Sequence, residues 1–266
     1  MILMYIPVLL AIVSCGRQDY SNQAVPVYNQ AYQETFKPDT IAEILVSAKD
    51  AYVLVDPFGE NVVQHIKTIK GNCNQVGGYI SAGTGEVWRN DFKQLKPYLT
   101  SKEWPDWPGE FYVSYTNTGI VDVMKARIDK MASWGIDWVE YDNMDWIDAQ
   151  SIARFGLHTT KEASKVYINT LCEYTRQQGM KCMAKNTVEG FEHFDGVVYE
   201  SSNNHKNSWD TQGAQRFIDN GKLVIINHYN ESDCDGVYTE YKQFYNSENI
   251  SFICEDTNTQ KYKHYN

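Results

Sequence analysis

Trp138-Val139-Glu140-Tyr141-Asp142-Asn143-Met144-Asp145 passes from apolar residues into a cluster of acids and an amide, directly after Gly135 ends a helical pattern. This reads as a buried parallel strand that surfaces at its C-terminal end carrying carboxylates, the end at which α/β barrels keep their chemistry. A second strand of the same kind, Gly196-Val197-Val198-Tyr199-Glu200, also ends in an acid. In one barrel, Asp142 and Glu200 would look into a common pocket. Two carboxylates across a cleft are the minimum equipment for glycoside hydrolysis.

Working outward, apolar runs bounded by turn residues predict buried strands at 44–47, 52–55, 78–81, 111–115, 136–141, 180–184, 197–199, 223–227 and 250–254. These are nine where a barrel holds eight, so the first or the last is surplus or an added strand. Between them lie helical stripes. One is Val121, Met124, Ile128, Met131 and Ala132; another is Ala163, Val166, Tyr167, Leu171 and Tyr174, opened by a capping box at Thr159-Thr160-Lys161-Glu162. A shorter one carries Phe217 and Ile218. Helix, glycine, buried strand, polar residues: this unit recurs at Gly135, Gly179 and Gly221, which implies a parallel sheet. No glycine-rich phosphate loop follows an early strand, which argues against a dinucleotide-binding fold. The expected fold is a (β/α)8 TIM-like barrel.

The 266 residues fit one such domain. Aromatic content is 14 %, with 7 Trp and 19 Tyr, which suits a sugar-binding cleft or a Tyr-rich surface. A net charge of −10 argues against a nucleic-acid partner and is compatible with a cationic substrate. Residues 1–14 are almost wholly apolar and resemble a secretory segment, although no Lys or Arg precedes the run. Ile12-Val13-Ser14-Cys15 looks like a lipobox. It predicts an exported protein, lipidated at Cys15 and meeting the membrane only through that anchor. Residues 16–38 read as a linker and 39–266 as the barrel. The other five cysteines match no zinc motif, and Cys172 and Cys182 read as buried single thiols.

Nearly every predicted strand ends in a polar side chain: Asp56, Ser81, Asp142, Lys185 with Asn186, Glu200, His228 with Tyr229, and Glu255. A lone acid at such a place is more often solvated than catalytic; their joint placement is what points to chemistry. Asp142, beside Asn143, suits an ionised nucleophile, and Glu200, after apolar Val198 and Tyr199, suits a protonated acid/base. Residue type alone leaves the reverse assignment open. Asp142, Asp145 and Asp148 lack the spacing and glycine of a calcium loop, and no paired His supports zinc, so no metal or other cofactor is expected. Trp88, Trp104 and Trp107 sit in one long strand-end loop, where they form a cleft wall or pack the loop onto the barrel.

Several segments together resemble glycoside hydrolase family 114, the endo-α-1,4-polygalactosaminidases, which are related to the hydrolase part of the Pel polysaccharide proteins. They are Gly78-Tyr79-Ile80-Ser81-Ala82-Gly83 with Glu86, Trp88-Arg89 and Asp91; Trp107-Pro108-Gly109-Glu110; Glu140 to Asp145; and Lys185-Asn186. The resemblance runs in order from about Asp56 to Tyr229. It implies a TIM-like barrel that cuts α-1,4-linked galactosamine polymers without a metal, with Asp142 and Glu200 as the catalytic pair. Asp56, Tyr79, Glu86, Trp88, Asn143, Asp145, Lys185, Asn186 and Tyr229 are then expected to bind substrate. Two segments depart from the family pattern: Tyr112-Val113-Ser114-Tyr115, where an Asp is usual, and Ser201-Ser202-Asn203-Asn204-His205, where a cysteine-containing segment is usual.

The expected protein is therefore an exported, monomeric glycoside hydrolase acting on a cationic or partly acetylated galactosamine polysaccharide. The rival readings are a catalytically silent glycan-binding lipoprotein on the same barrel and a hydrolase of another amino-sugar polymer.

Overall fold

The computed structural model describes residues 15, 20, 23–32, 41–114, 119–144, 152–153, 159–187, 189–202, 211–245 and 249–265. Within them, eight parallel strands follow one another around a barrel. They are β1 (Val27–Asn29), β2 (Tyr52–Val55), β3 (Gln75–Ser81), β7 (Trp138–Asp142), β8 (Lys181–Lys185), β9 (Gly196–Ser202), β10 (Leu223–Glu231) and β11 (Ile250–Asp256). A ninth strand, β12 (Lys261–Tyr265), adds antiparallel to β11. It meets β1 where the His264 ring donates to the Val27 carbonyl (2.6 Å) and stacks on Tyr28. The Val25 amide donates to Ser251 Oγ (3.0 Å) at the same seam.

Helices cover the outside: α1 (Ile41–Ser47), α2 (Val63–Gly71), α4 (Gly119–Trp134), α5 (Lys161–Gln177), α6 (Thr211–Asp219) and α7 (Cys234–Tyr245). Between β3 and α4 the chain builds a small antiparallel sheet of β4 (Thr84–Glu86), β5 (Leu99–Glu103) and β6 (Glu110–Val113), with the short helix α3 (Phe92–Leu95). Gly135 and Gly179 follow α4 and α5 with φ of +82°, the left-handed conformation that lets a helix end and turn back into a strand.

Side chains alternate along a strand, and here the alternation separates two cores. Val139 and Tyr141 of β7, Cys182 and Ala184 of β8, and Val197 and Tyr199 of β9 face the helices. Trp138, Met183, Val198, Leu223 and Ile225 fill the barrel interior together with Tyr52 and Leu54 of β2. A Cβ on Gly77 would lie 2.1 Å from the Tyr52 hydroxyl, so this interior is filled to the point where one strand position takes no side chain. The inward parity continues to the strand ends. Asp142, Lys185, Glu200 and Tyr229 therefore emerge together above the filled barrel.

Several expectations are corrected. The run 44–47 is the end of helix α1, since four apolar residues fit a buried helix turn as well as a strand. The run from 111 belongs to β6 of the small sheet, not to the barrel. The missing barrel strand is β1, inside the segment read as a linker, where Val27 and Tyr28 alternate too briefly to give a period. Tyr20 and Val25 are buried too, and the Tyr20 hydroxyl donates to Ala51 O. Helix α5 starts one residue later than expected: Thr160, not Thr159, caps it by accepting from the Ala163 amide (3.1 Å). Its buried stripe is Ser164, Tyr167, Ile168, Leu171, Cys172 and Thr175, and Val166 is exposed.

The cysteines pair as Cys15–Cys73, Cys172–Cys182 and Cys234–Cys254, and none is free among the described residues. Cys172 and Cys182 are thus not single thiols: α5 packs its Cys172 directly over β8. The lipobox reading expected a lipidated Cys15; in this structure its sulfur is bonded to Cys73 instead. Replacing both Cys172 and Cys182 by serine is expected to cost about 2–3 kcal/mol, since the closed loop is short. Urea unfolding of the double variant checks it, and an unchanged midpoint would mean that the bridge is absent.

Candidate active site

Asp142 and Glu200 converge on one ammonium. Lys185 Nζ lies 3.1 Å from Asp142 Oδ1 and 3.3 Å from Glu200 Oε1. The lysine is nearly buried and seated 3.9 Å over the Tyr32 ring. Burial by itself would lower its pKa, but the neighbouring acids, Asp142 and Glu200 foremost, outweigh that and hold it above the ordinary lysine range. It is therefore a fixed cation at any working pH.

Each carboxylate has its own donors. Tyr79, from β3, donates to Asp142 Oδ2 (2.9 Å). Glu200 accepts from the Tyr229 hydroxyl (2.8 Å) and from Asn186 Nδ2 (2.8 Å), and Asn186 Oδ1 takes the Glu200 amide in return. The Tyr229 hydroxyl accepts from Asn227 Nδ2 (2.6 Å). Asn143 and Asn186 have φ of +59° and +56°, the left-handed conformation that asparagine tolerates better than most residues. This is why an asparagine follows both Asp142 and Lys185: the chain must turn sharply off the strand there. The apolar setting expected for Glu200 is absent, because Val197 and Tyr199 face the helices and Val198 lies one layer below. Glu200 is ringed by donors instead.

Below this layer is Glu140, fully buried. The Tyr32 hydroxyl donates to its Oε1, while Oε2 has no hydrogen-bond partner among the described residues. Burial, with Asp142 and Glu200 adding and Lys185 and Tyr32 opposing, pushes Glu140 up to about 8. At neutral pH it is mostly an uncharged carboxyl.

A second cluster forms one wall. Arg89 donates from Nη1 to both oxygens of Asp56 (2.9 and 2.7 Å), and from Nε and Nη2 to the two oxygens of Glu86 (2.8 and 2.7 Å). Arg127 of α4 holds Asp91 through two bonds of 2.7 Å. These pairs fasten the small sheet to the barrel. Glu86, expected to bind substrate, is buried with both oxygens taken by Arg89, and burial raises its pKa against the pull of that arginine. Asp56 lines the cleft in the same grip.

A third group surrounds Glu110 at the start of β6. Thr84 Oγ1 donates to Glu110 Oε2 (2.7 Å), as does Asn143 Nδ2 (3.1 Å). Asn143 Nδ2 also reaches Ser81 Oγ (2.9 Å) and Thr84 Oγ1 (3.0 Å), so this asparagine is a brace under the cleft.

The cleft above has a volume of about 1080 Å³ and is lined by Asp142, Glu200, Lys185, Tyr79, Asp56 and Glu110 along with Trp88 and Trp107. Of the three loop tryptophans, Trp104 packs on Tyr112 with stacked rings, whereas Trp88 and Trp107 are about half exposed. All three line the cleft, and Trp104 also packs the loop. Asp145 and Asp148, as well as Asn203 to His205, lie outside the described residues. Sequence reasoning missed Tyr32, hidden in the presumed linker, and did not assign Glu140, Arg89 or Glu110 although all three stood in quoted segments.

A sequence profile described as Glycoside-hydrolase family GH114 matches residues 17–266. Among solved structures, the chain is similar to Ega3 of Aspergillus fumigatus in complex with galactosamine, with 20 % identity, a TM-score of 0.68, and coverage of 92 % of this chain and 95 % of that one. It is similar to the glycoside hydrolase domain of PelA from Pseudomonas aeruginosa, with 12 % identity, a TM-score of 0.60, and coverage of 87 % and 93 %. At such identities the likeness shows the shared barrel. No curated protein sequence matches the chain.

Proposed function

This chain belongs to glycoside-hydrolase family GH114, and we propose that it is an endo-acting enzyme cleaving α-1,4-linked galactosamine polymer with retention of configuration. Asp142 is the nucleophile and Glu200 the acid/base. The observation that carries this reading is the shared ammonium. Two oxygens at 3.1 and 3.3 Å from one nitrogen can be no more than about 6.4 Å apart, which is compatible with the close spacing of retaining enzymes.

In the first step Glu200 gives its proton to the glycosidic oxygen while Asp142 attacks the anomeric carbon, forming a glycosyl-enzyme ester and releasing the leaving chain. In the second, Glu200 takes a proton from water, which displaces Asp142 and restores the free sugar end. Lys185 and Tyr79 hold the two oxygens of Asp142 and so fix its carboxylate in place for attack. Glu200 is the more exposed of the two, which suits a group that must exchange protons with water. Trp88 and Trp107 offer indole faces to sugar rings beyond the scissile bond, and an open cleft suits cutting within a chain. Ega3 in complex with galactosamine lends support to the amino-sugar substrate, as does the acidic character of the cleft. Three disulfides support an exported protein.

Incubation with partly deacetylated α-1,4-galactosamine polymer should release oligomers of mixed length, detected by mass spectrometry. Monomer alone would mean exo-cleavage; polymer bound but intact would favour a silent binder.

A further inference from the structure

Glu110 is 5 % exposed, yet it lines the cleft. Both of its hydrogen bonds within the described residues go to one oxygen, Oε2, from Thr84 and Asn143. Those donors are themselves ordered: Asn143 Nδ2 also donates to Ser81 and Thr84, and the Ser81 and Thr84 hydroxyls are 2.6 Å apart. The whole group fixes the carboxylate by one oxygen and leaves Oε1 without a hydrogen-bond partner among the described residues. Among the described residues no cation pairs with Glu110: Arg89 is held by Asp56 and Glu86, and Lys185 by Asp142 and Glu200. A nearly buried carboxylate with an unused oxygen on a sugar cleft lacks one thing, a cation supplied by the ligand.

We propose that Glu110 binds the ammonium of a galactosamine residue next to the cleavage point, and so sets the preference for deacetylated over acetylated substrate. This rests on the reading of the cleft as a galactosamine site. An N-acetyl group brings no charge and so gains nothing from an ionised Glu110, whereas an ammonium does; the site selects by this difference in attraction. In the free protein, burial pushes Glu110 up to about 7, with Glu86 and Asp142 adding and Thr84 and Arg89 opposing. A bound ammonium favours the ionised form. Binding of the amine substrate therefore strengthens as pH rises from about 5 toward 7, where Glu110 gives up its proton, and acetylated substrate gains nothing from that change.

The test is calorimetric binding of short α-1,4-galactosamine oligomers, amine and N-acetylated, to a Glu200→Gln protein with and without Glu110→Gln. Glu110→Gln is expected to weaken the amine oligomer about tenfold or more and the acetylated one less than about twofold. Equal losses, or none, overturn the proposal. Should Glu110→Gln not fold, the amine-to-acetyl affinity ratio of the Glu200→Gln protein between pH 5 and 7 decides: a rise supports Glu110, a flat ratio overturns it. Cleavage by the wild type is measured in parallel. If it cuts no galactosamine polymer but binds the amine oligomer through Glu110, the hydrolytic reading fails and this one stands.

Discussion

Asp142→Asn and Glu200→Gln are each expected to lower kcat on the polymer by about a thousandfold or more, with little change in fold. The two losses differ in kind, and azide tells them apart. With Asp142→Gly and a glycosyl fluoride, azide occupies the vacated position, attacks the anomeric carbon as fluoride leaves, and gives the inverted β-azide. With Glu200→Ala, Asp142 still forms its ester, azide displaces it, and the product is the retained α-azide. Exchanged products would reverse the roles, and no azide product from either variant would sink the retaining mechanism.

The second large effect is expected at Lys185. Lys185→Met keeps the length and removes the charge that Asp142 and Glu200 share, so two carboxylates face each other over a buried, uncharged glutamic acid. Turnover should fall about a hundredfold, and stability at neutral pH by about 3 kcal/mol, the scale for breaking a buried ion pair by removing one partner. The pH dependence follows from sign. Lys185 is held above its ordinary pKa, so its contribution is present throughout the range below that value and is lost only in strong alkali. Thermal unfolding at neutral pH measures the loss; a midpoint equal to that of the wild type would mean that the ammonium adds no stability.

Much of the site was legible because strands impose a period. Once Trp138 and Val139 read as a buried strand, Asp142 had to surface at its end, and the same held for Lys185 and Glu200. What stayed hidden lacked a period. Strand β1 has three residues, too few to alternate visibly, so Tyr32 was lost among polar neighbours. Glu140 was in plain view, but one needs the parity of Trp138 and Asp142 to see that it points inward. Glu86 and Glu110 open and close the same small-sheet pairing, Glu86 opposite Glu110. Nothing in sequence says that an arginine occupies the first while, among the described residues, the second is held by one oxygen alone. The cysteine pairs were equally silent, since spacing does not reveal which helix lies over which strand.

The seam where β12 and the β11 residue Ser251 meet the first strand has a practical consequence for anyone shortening the chain. Trimming to residue 39, as one might trim a tail, would remove β1 with its neighbour Tyr20 and take Tyr32 from beneath Lys185. It would also bare the backbone of β2 along one side and strip the His264 contact from the other. Unpaired strand edges of that kind recruit other chains. A truncated protein of this sort should collect as aggregate rather than as a weaker enzyme.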